Sequence, residues 1–368
     1  MSDEADHLRR LIAHKGPLSL AEFMTEALWH PSEGYYARSD VLGRSGDYTT
    51  APEISQMFGE LLGLWAGSAW EAMGRPAAVR LVELGPGRGT LLADALRAAR
   101  LVPGFLAAIE LHLVEASPRL QARQAATLAR YAPHWQAHFA AVPQGPFILL
   151  ANEFFDALPI LQLERTAAGW FERLVACDEV RERFRFVLAR QAAPAARLLP
   201  ATLVSAPLGS VAEISPAAIS LVTMIAVRLV AHGGAALLID YGPAESQARA
   251  TLQALRRHHP HDPLEAPGTA DLTAHVDFAA LARAAREAGA AVHGPIEQGT
   301  FLARLGITAR AERLAAAATG AQPAAIRSGL RRLIDEREMG TLFKALALTD
   351  PQLPTPAGFE RSCAKEMR

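Results

Sequence analysis

Two acids and three glycines carry the strongest chemical signal in this chain. The run Val82-Glu83-Leu84-Gly85-Pro86-Gly87-Arg88-Gly89-Thr90 leads an apolar strand into a glycine turn and then a helix. Glycines let the backbone turn sharply and approach a ligand with no Cβ in the way. The spacing is GxGxG, and Thr90 stands where GxGxxG would place its last glycine. Glu115 ends the next apolar run, Leu111–Glu115. A carboxylate there can accept hydrogen bonds from both hydroxyls of a ribose. Glu83, just ahead of the turn, would repel a pyrophosphate and attract an ammonium. A ligand with a ribose, an ammonium and no phosphate suits both acids, and S-adenosylmethionine is such a ligand. Glu83, Gly85, Gly87, Gly89 and Glu115 are the expected cofactor-binding residues. Glu115 follows Gly85 by 30 residues (115 − 85), against about 20 in the nucleotide fingerprint. The loop Leu101–Ala108 is expected to take up the difference.

A second cluster follows the run Phe147–Ala151: Asn152-Glu153-Phe154-Phe155-Asp156-Ala157-Leu158-Pro159. In an open α/β sheet, ligands sit beyond the carboxyl ends of the strands, where strand order reverses. Asn152 is expected to help bind the cofactor. Methyl transfer from a sulfonium needs an aligned nucleophile and exclusion of water. A guanidinium acceptor also needs carboxylates to hold it and take its proton. Glu153 and Asp156 are the expected catalytic acids, with Glu53 and Asp240 next in line. The bland alternative makes Asp156 a helix cap and packs Phe154 and Phe155 in the core.

These residues need elements to carry them. Short apolar runs alternating with helical segments from Val79 onward signal βαβ units and a mostly parallel sheet. The runs are Val79–Leu84, Leu111–Glu115, Phe147–Ala151 and Ala235–Asp240, with His138–Ala141 as a short third strand. Helices are expected over Thr90–Arg100 and Pro118–Tyr131. Trp170–Val175 and Arg183–Leu188 read as antiparallel strands added to this core. His258–Thr269 reads as a loop, Phe278–Ala288 as a helix and Ala291–Gln298 as a strand. A helical insertion spans Thr308–Asp335, and Phe343–Leu348 closes the sheet. Ahead of the core, Ser19 with Glu22 forms a capping-box pattern, and a helix covers Glu53–Met73. The expected organisation is a helical region with a lid loop over 1–75, then a core over 76–368 with insertions near 160–230 and 300–340.

Smaller features have two readings each. Ser45-Gly46-Asp47-Tyr48-Thr49-Thr50-Ala51-Pro52-Glu53 is a candidate lid, with Thr50 or Glu53 at a helix start. Glu213-Ile214-Ser215-Pro216 marks a helix start that could also lie near the site, Asp240-Tyr241-Gly242 is a simple turn or part of the ligand side, and His275 with Asp277 could line the pocket or, as favoured here, cap the helix after them. The 12 histidines form no HExxH or similar spacing, so no metal is expected.

Bulk properties narrow the class. With 368 residues, half of them apolar, the chain can bury a large core. A net charge of −1 gives no broad attraction to nucleic acid or anionic membrane. Cys177 and Cys363 make no disulfide framework. The apolar stretch Ala217–Ile239 is broken by Arg228, His232, Gly233 and Gly234, so no membrane insertion is expected.

In order along the chain, these segments resemble the MidA-type methyltransferases. The resemblance rests on Gly34-Tyr35-Tyr36, the Ser45–Glu53 loop with Ser55-Gln56 and Phe58-Gly59-Glu60, and Glu83–Gly89. It continues through Asn152–Pro159, Glu213–Pro216, Asp240–Gly242 and His275–Phe278. It implies a Rossmann-like class I core of seven strands, the last antiparallel, and S-adenosylmethionine as donor. It also implies a protein arginine as acceptor, in a core subunit of respiratory complex I. Tyr48 departs from the phenylalanine common there. No presequence is read at the N-terminus, so a bacterial cytoplasmic enzyme is expected, and a homodimer is compatible with the sequence. The rivals are a cofactor-binding assembly factor without activity and an NAD-dependent oxidoreductase. Against the second stand Glu83 and the GxGxG spacing.

Overall fold

In the computed structural model, residues 3–38, 50–178, 180–181, 183–256 and 259–360 are described. These residues divide into two compact units. One takes those within Met1–Thr49, Phe155–Ser220 and Glu245–Ala280. The other takes those within Thr50–Phe154, Leu221–Ala244 and Leu281–Arg368.

The second unit is built on a seven-stranded sheet. Its strands are β1 (Val79–Leu84), β2 (Ile109–Val114), β3 (His134–Gln136), β4 (Phe147–Asn152), β5 (Gly234–Tyr241), β6 (Ala291–Glu297) and β7 (Phe343–Thr349). The order across the sheet is β6-β7-β5-β4-β1-β2-β3. The pairs β1–β2, β1–β4, β2–β3 and β4–β5 are parallel; β7 runs antiparallel to both β5 and β6. This is the α/β sheet that the resemblance implied. β4 is buried along its whole length, and β5 nearly so, which is why both read as unbroken apolar runs. Helix Gln56–Ala72 packs closely on helix Thr90–Ala99: a Cβ at Gly63 would lie 2.2 Å from the Ala95 carbonyl oxygen. Buried Glu60 takes Arg97 Nη2 at 3.0 Å and Arg310 Nε at 2.7 Å. Burial pushes the Glu60 carboxyl up, but the two guanidiniums outweigh it and hold it below its ordinary value.

The other unit carries an antiparallel sheet ordered Leu18–Ser19, Gly169–Asp178, Leu161–Thr166, Val211–Ile214, with Arg183–Ala192 paired to Gly169–Asp178. Helix Leu20–Trp29 starts at a capping box: Ser19 Oγ accepts from Glu22 N and the Glu22 carboxylate accepts from Ser19 N. Its inner face, Leu20, Phe23, Met24, Ala27 and Leu28, packs with Leu8, Val175 and Leu272.

Several expectations need correction. Residues His138–Ala141 are not a strand; Phe139–Ala141 is a 3-10 turn, and the third strand is His134–Gln136. A three-residue polar edge strand leaves no periodic signal. The helix expected to reach Tyr131 ends at Thr127, before a 3-10 turn. Gly169–Asp178 and Arg183–Ala192 belong to a separate sheet rather than to the core sheet. His259–His261 pairs as a strand with Gln253–Arg256, where a loop was expected; His258 lies outside the described residues. The helix expected over Glu53–Met73 is two helices, Ala51–Ile54 and Gln56–Ala72. Ser55 breaks them with an extended backbone and caps the second through Met57 N. β7 does not close the sheet; β6 is the outer strand. The insertion over Thr308–Asp335 is two helices, Ile307–Ala317 and Gln322–Ile334.

Candidate functional site

β1 and β4 lie side by side, with Leu84 opposite Ala151. Their carboxyl ends therefore emerge together where the strand order reverses. Glu83 is 3% exposed, and its Oε2 has no hydrogen-bond partner among the described residues. Burial pushes this carboxyl up to about 8. Asn152 is also buried; its Nδ2 donates to Glu153 Oε1 at 3.1 Å, while its Oδ1 has no partner among the described residues. An unpartnered buried polar atom costs about 1–3 kcal/mol. Two such acceptors at one end of a sheet are groups to which a ligand could supply donors.

The turn after β1 has the conformation its glycines allow. Gly85, Gly87 and Gly89 take φ of 60°, 53° and 80°. At Gly85 a Cβ would meet Phe154 Cδ2 at 2.8 Å, so glycine is needed for space as well as for φ. Phe154 thus packs on the turn, as the bland reading had it.

Glu115, at the end of β2, accepts from Ser117 N at 2.8 Å through Oε1 and from Gln124 Nε2 at 3.2 Å through Oε2. Burial raises this carboxyl, against the pull of hydrogen bonds from Ser117, Gln124 and the Ala116 backbone. Gln124 Nε2 also donates to the Gly87 carbonyl at 2.9 Å, and Gln124 Oε1 accepts from Trp135 Nε1 at 2.8 Å. One fully buried amide thus ties the acid to the glycine turn. Sequence reasoning missed Gln124. Its only signal was a glutamine on a helix face turned toward the sheet.

Helix Ala51–Ile54 is tied to this end of the sheet on three sides. Glu153 Oε1 accepts from Ala51 N at 2.8 Å. Glu53 Oε1 accepts from the Thr90 hydroxyl at 2.7 Å, and Glu53 Oε2 lies 3.7 Å from Arg88 Nη1. Gly329, on helix Gln322–Ile334, would place a Cβ 3.4 Å from Ser55 Cβ. Glu153 holds its place at φ 49°. A left-handed backbone costs a residue with a side chain about 1–2 kcal/mol, and such strain gathers at functional sites. Asp240, 1% exposed at the end of β5, accepts from Phe154 N and Tyr241 N at 3.1 and 2.9 Å.

The structure therefore brings Glu53, Glu83, Gly85, Gly87, Gly89, Glu115, Asn152 and Glu153 into one unit. Asp156 falls in the other unit. There it is buried in a turn, and its carbonyl accepts from Ala274 N at 2.9 Å. No helix starts at Asp156, so the helix-cap reading fails. Asp277 does cap its helix, accepting from Ala280 N at 2.9 Å, and Ser215 Oγ accepts from Ala218 N at 3.1 Å. The lid segment Ser45–Thr49 lies outside the described residues. Among the described residues no helix is long and apolar enough to cross a membrane.

The acceptors at this end suit an ammonium and a ribose, two of the polar groups of S-adenosylmethionine. A family described as S-adenosyl-L-methionine-dependent methyltransferases matches residues 61–296. The chain is 42% identical to the protein arginine methyltransferase NDUFAF7 homolog of Drosophila melanogaster, covering 94% of this chain and 84% of that one. It is 38% identical to human protein arginine methyltransferase NDUFAF7, covering 97% and 85%. Among solved structures, one from Burkholderia thailandensis with S-adenosyl-homocysteine bound superimposes with a TM-score of 0.83. That pair is 31% identical, covering 97% of this chain and 94% of that one. The chain belongs to this family of S-adenosyl-L-methionine-dependent methyltransferases and is an enzyme that takes S-adenosylmethionine as methyl donor.

Proposed function

We propose that this enzyme methylates a guanidinium nitrogen of arginine in a protein, and that the protein is a core subunit of respiratory complex I, whose assembly the methylation supports. The relatives at 38–42% identity are named protein arginine methyltransferases, which supports the acceptor. The complex I subunit rests on the MidA-type resemblance. The location stays in the same class: those relatives are mitochondrial by name, the sequence reading is cytoplasmic, and cell fractionation decides.

The observation that carries the reading is Glu153, a strained acid anchored by Ala51 and Asn152 beside the unpartnered Asn152 Oδ1. When bound, S-adenosylmethionine supplies an electrophilic methyl on its sulfonium. Glu83 receives the ammonium, which gives its buried oxygen a donor. Glu115 receives the ribose hydroxyls: its carboxylate offers about four lone pairs, and Ser117, Gln124 and Ala116 take three of them. Glu153 holds the acceptor guanidinium, draws its charge away from the attacking nitrogen and takes that nitrogen's proton as the N–C bond forms and the S–C bond breaks. Asp156 is the second acid expected from the sequence. Glu53, engaged with Thr90 and Arg88, positions the glycine turn.

The test is single-turnover methylation of an arginine-bearing protein with labelled donor, with donor binding measured on the same samples. Positioned proton transfer is worth about 10²–10⁴-fold. Glu153→Gln keeps an oxygen for Ala51 N and should lose at least about 10²-fold in rate, with donor affinity within a few-fold. Wild-type turnover in that variant would remove Glu153 from the chemistry. Asp156→Asn should slow turnover in the same assay; a change in stability alone would leave it a structural acid.

A further inference from the structure

We infer that His7, Glu26 and His30 form a binding site for a divalent transition cation of the zinc type. His7 sits on helix Asp3–Lys15. Glu26 lies in the last turn of helix Leu20–Trp29, and His30 is the residue that ends it. Their spacing of four places Glu26 and His30 on one face. One ligand atom from each residue can be chosen so that all three lie within 4.8 Å of one another. His7 Nε2 is 3.1 Å from Glu26 Oε2, and the two imidazole rings are 4.7 Å apart. All three residues are half-buried, open enough for an ion to enter and packed enough to hold their rotamers.

A plain ion pair with Glu26 needs only one histidine. Two like-charged rings this close repel each other, whereas two neutral rings can share one dication. Two nitrogens and one carboxylate oxygen are a borderline donor set, suited to zinc rather than to magnesium or calcium. Three protein ligands leave the fourth tetrahedral position to water. The proton balance is simple. Glu33 donates its N–H to His30 Nδ1 at 3.2 Å, so the neutral ring carries its own proton on Nε2. Metal capture through Nε2 moves that proton to Nδ1 through solvent, and likewise the His7 Nε2 proton that Glu26 Oε2 accepts at 3.1 Å, which frees both Nε2 lone pairs. The Glu33 amide, in a solvent-facing turn, gives up one neutral hydrogen bond to water. The loaded site ties helix Asp3–Lys15 to the end of helix Leu20–Trp29.

The test is zinc titration of the full chain, stripped with chelator, against a chromophoric competitor. One equivalent should bind. His7→Gln, Glu26→Gln and His30→Gln should each weaken it by at least about tenfold, since even groups outside a metal's ligand shell change affinity by 10–100-fold. Excess magnesium should not compete. His7→Cys keeps a zinc ligand and should keep the site, which separates lost coordination from lost folding; cobalt loading should then show a thiolate charge-transfer band. Wild-type affinity in all three glutamine variants would mean an adventitious ion only and would overturn the assignment.

Discussion

Glu83 and Glu213 are acids at the ends of strands in different units, and the chain treats them in opposite ways. Glu213 accepts Gln162 Nε2 at 2.8 Å, Thr251 N at 2.9 Å and Leu252 N at 3.1 Å on Oε1, and the Thr251 hydroxyl on Oε2. That hydroxyl in turn accepts His275 N at 2.8 Å. Glu213 spends its lone pairs holding segments far apart in the chain. Glu83 is more deeply buried, and its Oε2 has no partner among the described residues. A carboxylate bonded on both oxygens within the chain is architecture; a buried one with an oxygen left short is a candidate to take a donor from a ligand. The two motifs looked equally chemical in the sequence, and satisfaction of hydrogen bonds is what separates them.

The largest expected effect tests the architectural half. Glu213→Ala strands four donors, three of them on one side of the Thr251 segment, and should cost about 2–4 kcal/mol of stability. Urea unfolding checks it. A loss below about 1 kcal/mol, or a selective loss of donor binding at full stability, would collapse the contrast with Glu83.

Glu83→Gln should do the reverse. S-adenosylhomocysteine binding, measured by calorimetry, should weaken by about 1.5–3 kcal/mol, the scale for a hydrogen bond to a charged group. Stability of the ligand-free protein near pH 8 should hold or rise, since a buried carboxylate with no partner is removed. Unchanged affinity would take Glu83 out of the site.

The same acid makes stability depend on pH. Its folded value, about 8, lies above the ordinary 4.5. The folded protein therefore binds more protons than the unfolded chain between those values. This contribution is fully present below about pH 4.5 and is lost as pH rises through about 8. Ligand-free protein should lose stability between pH 6 and 8.5 relative to Glu83→Gln, with urea midpoints as the readout; parallel curves for the two would contradict it. Glu115, also raised by burial, shifts both proteins in the same direction and cancels in the comparison. If Glu83 pairs with the donor's ammonium, binding near neutral pH should release a proton, which calorimetry in buffers of different ionisation enthalpy detects.

The smallest effect concerns the helix tied over the turn. Gly329 has ordinary van der Waals room for one methyl, 3.4 Å from Ser55 Cβ. Gly329→Ala should stabilise by about 0.4–1 kcal/mol, as a helical glycine replaced where the backbone permits. Gly329→Leu should crowd Ile54 and Ser55 and weaken donor binding. A leucine variant that binds donor normally would show that helix Ala51–Ile54 yields without consequence for the turn.

What was readable from residues alone was local. Apolar runs gave β1, β2, β4 and β5 nearly to the residue, because strands buried on both faces need unbroken apolar sequence. The glycine turn, Glu83, Glu115 and Asn152 were readable because backbone conformation and strand ends are set within a few neighbours. The break at Ser55 and the edge strand His134–Gln136 were not: a single cap and a three-residue strand are too short to have a period.

Partnership was decided only by the fold. Glu153 meets Ala51 across 102 residues, Glu213 meets Thr251 across 38, and Gln124 meets Gly87 across 37. No periodicity links positions so far apart. Residue types at strand ends told which groups could do chemistry, and for that the sequence was sufficient. Whether each group is already bonded depends on which distant donors the packed chain brings within about 3 Å. That is why Glu83 and Glu213 look alike in the sequence and differ in the structure, and why His7 reaches Glu26 and His30 although no metal-binding spacing joins them.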